Sequence, residues 1–294
     1  MARLHQQLKN LCARNRDGSF ATQANRRAML VMFADQLGRI GFNANQLGAA
    51  DLKGRHVNAL LRTWRAEGVT DATIKNRMSV IRWWAEKVNN AGAVKSNAEL
   101  GIGNRAYVTN TDKSISFERV DFSKFDAHVA QSLRMQDAFG LRREESMKFQ
   151  PEYALQGQSV ETATEIHIKG SWSKGGRERV IPVTNDKQRE VLRFVAALAG
   201  KGSLIPHEKT YKTHLATFEA QTHAQGIGRT HGLRHGYAQT RYRELMGFDC
   251  PSKGEQRKLS DEEKRRDFQA RLMISQELGH NRVAITSVYL GSWK

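Results

Sequence analysis

Apolar residues recur at helical spacing along most of this 294-residue chain, and that period limits the fold more than any other feature. Leu4, Leu8, Leu11 and Cys12 share one helical face and predict a short helix over residues 3–13, broken by the run Asn15–Gly18. Leu30, Phe33, Leu37 and Ile40 mark a second helix that Gly41 ends. Val57, Leu60, Leu61 and Trp64 mark a third, with Gly68 just past it. Thr70 is an N-cap for a fourth, whose inward face is Ile74, Met78, Ile81, Trp84 and Val88. Trp83 and Trp84 are adjacent, so one is expected inside and the other at a surface. Phe125, Val129 and Leu133 predict another helix, and a further one follows Gly140 and ends near Pro151. The exceptions are Glu165–Lys169 and Arg179–Val183, which alternate with period two. The turn sequence Ser173-Lys-Gly-Gly-Arg lies between them, which predicts a β-hairpin. From residue 186 the pattern is helical again. The expected fold is mostly α with a small β-hairpin or sheet.

A chain of this length is expected to form two domains. Glycine and small polar residues from 91 to 117, among them Gly92, Gly101, Gly103, Asn104 and Asn110, read as the connection. That sets a helical domain at 1–95, a linker at 96–117 and a second domain at 118–294. Charge separates the parts further. The net charge is +17, from 47 Lys and Arg against 30 Asp and Glu. Residues 1–117 carry +10 of it and the longer remainder +7. Such a surplus calls for a polyanionic partner, most simply nucleic acid, with a membrane surface as the weaker reading. No run of eighteen apolar residues and no signal-peptide pattern is present, which points to a soluble, cytoplasmic protein. Cys12 and Cys250 lie far apart and outside any Cys-x-x-Cys pair, which argues against a disulfide framework or a zinc site. On the fourth helix, Lys75, Arg77, Arg82 and Lys87 are candidates for contact with DNA phosphates, against the plainer reading of a solvated face.

The chemistry-bearing stretch is residues 228–291. His231 and Arg234 stand three apart, on one face of a helix. His280 follows Gly279, a candidate helix-ending glycine, and Tyr289 comes nine residues later. A phenol can serve as a nucleophile, and cationic donors suit a transferring phosphoryl group. The segments His231-Gly-Leu-Arg234-His235 and Leu278-Gly-His280 followed by Tyr289 resemble the C-terminal signature of the tyrosine recombinases, the phage integrase family. Phe139-Gly-Leu-Arg142-Arg-Glu-Glu145 is similar to that family's first arginine motif, and Ser173-Lys174-Gly-Gly-Arg-Glu-Arg-Val-Ile-Pro-Val to its hairpin lysine motif. The stretch from Thr70 to Trp84 is similar to the last helix of its core-binding domain. Each motif alone is weak, and the five in the family's order carry the resemblance.

The resemblance implies a two-domain DNA clamp and metal-independent breaking and rejoining of duplex DNA without a cofactor. Tyr289 would attack phosphorus and form a 3′-phosphotyrosyl link. Arg142 and Arg234, with forked and permanently charged donors, would meet charge on the non-bridging oxygens. His231 and His280 would donate to the same oxygens or hold Tyr289. Lys174 would protonate the leaving 5′ oxygen, with Arg177 and Lys169 as nearby substitutes. Glu145 would orient an arginine or His231. His235, next to Arg234, is expected to point elsewhere, and Tyr237 and Tyr242 to be core aromatics. Partners implied are double-stranded DNA, further copies of the chain as a tetramer on two sites, and accessory factors. A type IB topoisomerase or hairpin-forming resolvase, and a non-catalytic helical DNA-binding regulator, are the alternatives. Two departures from the family bear on assembly. The spacing from His231 to His280 is long, with extra material at Gly247–Asp267, where Ser260 and Glu263 form a capping box for a helix running to Leu278. Five residues follow Tyr289, too few for a helix that docks on a neighbouring subunit. Residues 1–20 are therefore expected to link protomers, ahead of the 247–267 insert.

Overall fold

The computed structural model describes residues 2–104, 107–117, 120–280 and 282–293. It divides into two compact units, residues 1–106 and 107–294. Residue 118, the expected start of the second domain, lies outside the described residues.

The first unit holds helices α1 (Arg3–Arg14), α2 (Phe20–Arg39), α3 (Gly54–Ala66) and α4 (Asp71–Lys87). The predicted stripes are its core: Leu30, Phe33, Leu37, Leu60, Trp64, Ile74, Met78 and Ile81 are all buried. Thr70 caps α4, its hydroxyl accepting from the Thr73 amide at 3.4 Å. Two expectations change here. Leu4 and Leu8 are fully buried in this same core, so α1 packs on its own unit and has no bare stripe to offer a neighbour. Trp83 and Trp84 are both buried. The Trp84 indole donates to the Ala49 carbonyl at 2.8 Å, while Arg26 lies 4.1 Å over Trp83 and Asp17 accepts from its indole. The Asn15–Gly18 break thus folds back onto Trp83 through Asp17. The expected linker is also shorter than 96–117: Leu100 and Ile102 are buried in the first core.

The second unit begins with an irregular segment, 107–117. It continues with α5 (Ala127–Phe139), α6 (Arg143–Lys148), α7 (Pro151–Leu155), strands β1 (Glu165–Ile168) and β2 (Arg179–Pro182), α8 (Asp186–Ala199), α9 (Tyr211–Ala224), α10 (His231–Met246), α11 (Asp261–Glu277) and α12 (Val283–Leu290). Pro151 opens α7 as well as following α6, as proline at a first helical position can. The two strands pair antiparallel, Ile166 opposite Ile181 and Ile168 opposite Arg179. Ser260 and Glu263 form the capping box that starts α11, and Gly279, at φ +67°, ends it. Tyr237 and Tyr242 are core aromatics, donating to Glu277 and Asp267. Both cysteines are free. Among the described residues no helix is long and apolar enough to cross a membrane.

Candidate active site

Arg234 is the centre of the site. It sits in the first turn of α10 and is 1% exposed. Its Nη1 donates to the Gly140 carbonyl, its Nη2 to the Leu278 carbonyl, and its Nε to the Tyr289 phenol oxygen at 3.3 Å. Burial lowers its pKa to about 10, so it stays charged at neutral pH. Gly140 ends α5 in the left-handed conformation, where a Cβ would stand 2.5 Å from the Tyr237 ring. Glycine there lets the backbone carbonyl reach the guanidinium.

Tyr289 lies in α12, 5% exposed, between three imidazoles. The His280 Nε2 is 3.4 Å from its hydroxyl, and the ring of His231 stands 5.9 Å away, centre to centre. Both histidines are held below their ordinary pKa, His280 to about 4, by burial first and then by the Arg234 and Arg142 charges. Neutral His280 can therefore accept from the phenol, while Arg234 donates to it. The third ring, His235, was expected to point away. It packs on Tyr289 instead, ring centres 4.7 Å apart. Tyr289 arrives from α12 to fill the space beside α10, so adjacent residues 234 and 235 touch different parts of one phenol.

Arg142, at the N-cap of α6, is half-buried and lines an open cavity of about 580 Å³ together with Arg143, Thr230 and His231. Its Nη1 donates to Glu145 at 2.7 Å. Glu145 is fully buried and binds Arg142 and Arg179; among the described residues its partners are these arginines and not His231. Burial pushes its carboxyl pKa up, but Arg179, then Arg142 and Arg234, outweigh that and hold it down at about 2.

Arg179 was not singled out from the sequence. It grips Glu145 with both η nitrogens, at 3.1 and 2.7 Å, and donates from Nε to the Glu277 carbonyl at 2.8 Å. A signal existed: Arg179 is in phase with Ile181 of β2 and with Val183 just past the strand, both buried, and a charge in that phase needs a buried partner. Lys174 is not brought to the phenol. It stands exposed in the hairpin turn. Arg177 contributes to the field at His280.

The four α4 cations are partly occupied within the first unit. Lys75 donates to Asn104 at 2.8 Å and Lys87 to Glu86 at 3.0 Å. Arg82 holds the Lys95 carbonyl and Asn97, and Arg77 stacks 5.0 Å over Trp64.

Two family models match the chain: phage integrase, N-terminal, over residues 1–93, and integrase over residues 102–240. No curated protein matches it. Among solved structures it is similar to a lambda integrase dimer bound to a COC′ core site, at 14% identity and TM-score 0.62, over 99% of this chain and 79% of that one. It is similar to the XerH site-specific recombinase in a post-cleavage complex with palindromic difH, at 14% identity and TM-score 0.59, over 99% and 82%. A third is the Tn1549 transposon integrase with circular-intermediate DNA, at 10% identity and TM-score 0.57, over 100% and 97%. These likenesses are of fold, and the sequence match to both family models spans most of the chain. The chain belongs to the phage integrase family.

Proposed function

We propose that the chain cuts and rejoins duplex DNA at specific sites through Tyr289, integrating or excising a mobile element. The observation that carries this reading is the phenol of Tyr289 set 3.3 Å from a buried guanidinium and 3.4 Å from a neutral imidazole. Beside it Arg142, Arg179 and Arg234 surround the buried carboxylate of Glu145. This surplus of fixed positive charge suits a phosphodiester whose non-bridging oxygens gain charge in the transition state.

The phenol oxygen attacks phosphorus, and the Tyr289 Oη–P bond forms as the P–O5′ bond breaks. The phenol proton passes to His280. Arg142 and His231, on the cavity wall, donate to the non-bridging oxygens. Lys174 gives a proton to the departing 5′ oxygen, the hairpin turn swinging it inward once DNA is bound. A 5′ hydroxyl from a second strand reverses the step, since the phosphotyrosyl link conserves the bond energy. Duplex DNA is the partner, and a tetramer on two sites is the assembly this exchange requires. Lys75, Arg77, Arg82 and Lys87 on α4 are the cations proposed for the DNA phosphates. Arg82 and Arg77 also hold their own unit together. The solved relatives bound to DNA support the partner.

Incubation with a pool of nicked suicide duplexes, randomised in their central segment, should leave a covalent adduct that survives denaturing gels. Tyr289→Phe should form none. An adduct formed equally by Tyr289→Phe would remove the assignment. Exchange of strands between two labelled duplexes, as opposed to relaxation of a supercoil alone, separates a recombinase from a topoisomerase.

A further inference from the structure

The helix that carries Tyr289 has eight residues, too few to hold its own shape in water, so its pose is set by what it touches. Its carbonyl end is one such contact. The Tyr289 carbonyl accepts from the Ser252 hydroxyl at 3.0 Å and from the Gln239 amide at 3.4 Å. Gln239 lies four residues after His235 on α10, on the face that meets the Tyr289 ring. Ser252 lies in the 3₁₀ turn Pro251–Lys253, inside the long insert after α10. Both side chains are almost wholly buried, at 2% and 4% exposure. The same Gln239 amide nitrogen donates to Ser252 at 3.2 Å and to Asp112 at 3.0 Å. Asp112 is fixed in turn by the Ser114 amide and by Lys253, both at 2.8 Å. A carboxylate in that place settles which end of the Gln239 amide faces the helix, because only the nitrogen end can donate to it. Two residues earlier, Asn110 exchanges a pair of hydrogen bonds, each 2.9 Å, with the backbone of Ser292, just beyond α12.

We infer that Gln239 and Ser252 are positioning residues for the nucleophile: together with Asp112, which orients the Gln239 amide, they hold the carbonyl end of α12 and so set the phenol against Arg234 and His280. The inference rests on Tyr289 being the nucleophile. It gives the insert a function inside the subunit. It also ties the segment 107–117, the first part of the catalytic unit, to the residue that does the chemistry.

The test uses the full chain and nicked duplexes recovered from the randomised pool by adduct formation with the wild-type protein. Single-turnover adduct formation at saturating protein reports the attack step, and fluorescence anisotropy on the same duplexes reports binding. Gln239→Leu and Ser252→Ala should slow adduct formation about 10- to 100-fold, the loss expected when a reacting group is displaced by about an ångström, with Kd changed less than about threefold. The slowness should persist on a 5′-bridging phosphorothiolate duplex, whose leaving group needs no proton. Should either buried variant fail to fold, the partly exposed Asp112 decides: Asp112→Ala should be slow, and Asp112→Asn, which keeps an oxygen for Gln239, should recover most of the rate. Wild-type rates in the folded variants overturn the inference, as does a loss of rate matched by an equal loss of binding. Absence of any adduct with the wild-type chain sinks the nucleophile assignment itself, and this inference with it.

Discussion

Around Tyr289 the decisive contacts are between single charges and a single phenol. Arg234 is held by the Gly140 and Leu278 carbonyls and still reaches the Tyr289 phenol, so a fixed positive charge stands beside that oxygen. The same burial sets a pH dependence. His235 and His280 have pKa values near 4 in the folded chain against 6.5 for an ordinary histidine, lowered by burial first. Between those values the unfolded chain binds more protons, so stability falls as pH drops through that window. His235 is 5% exposed, and its share should be about 2 kcal/mol between about pH 7 and 5. Glu145 adds a further loss below 4.5, as its carboxyl must be protonated away from Arg179. Urea unfolding of wild type and His235→Leu at both pH values checks this, and an equal pH slope in the two would rule the role out. Lys174 is tested by its leaving group. Lys174→Ala should be slow on ordinary DNA and recover on the 5′-bridging sulfur duplex, whereas equal slowness on both would exclude it as the acid.

Elements owe their places to phase as much as to apolar content. Strand β2 buries Ile181, and Arg179 rides in the same phase to meet Glu145, which is why a hairpin of two four-residue strands can organise a charged pocket. Helix α1 illustrates the limit of such reading. Its stripe demands burial but does not name the surface that supplies it, and Leu4 and Leu8 turn out to complete the core of their own unit. Leu8→Ala should therefore destabilise the first unit by about 3 kcal/mol through lost burial and a residual cavity. Chemical denaturation of residues 1–104 would measure it. A cost below about 1 kcal/mol would show that the stripe is not core.

At the scale of the whole molecule, charge is divided unequally. Residues 1–106 carry +10 of the +17, on a unit with its own core and none of the residues assigned to the pocket around Tyr289. DNA affinity should accordingly depend steeply on salt. If this part meets about six phosphates, binding should weaken roughly a thousandfold between about 50 and 200 mM salt. Anisotropy titrations of the first unit across that range test it, and a nearly flat response would contradict the division of labour.

Much of this could be read from the sequence because helical and strand periods are local. They placed the helices, the hairpin, the capping box of α11 and the motifs of Arg142, His231, Arg234, His280 and Tyr289 without reference to any distant residue. The remainder depended on pairs far apart in the chain. Glu145 meets Arg179 across 34 positions, Arg234 meets Tyr289 across 55, and Asp112 meets Gln239 across 127. Periodicity says which face of an element is buried and is silent on what covers it. Hence Trp83 could be buried under Arg26, His235 could turn to the phenol, and an insert that reads as polar could carry Ser252 to the Tyr289 carbonyl. The sequence by itself determined the elements and the chemistry they bear, through short-range spacing. Only the tertiary structure decided which side chains hold the Tyr289 phenol, because that depends on close approach between segments whose separation along the chain carries no signal.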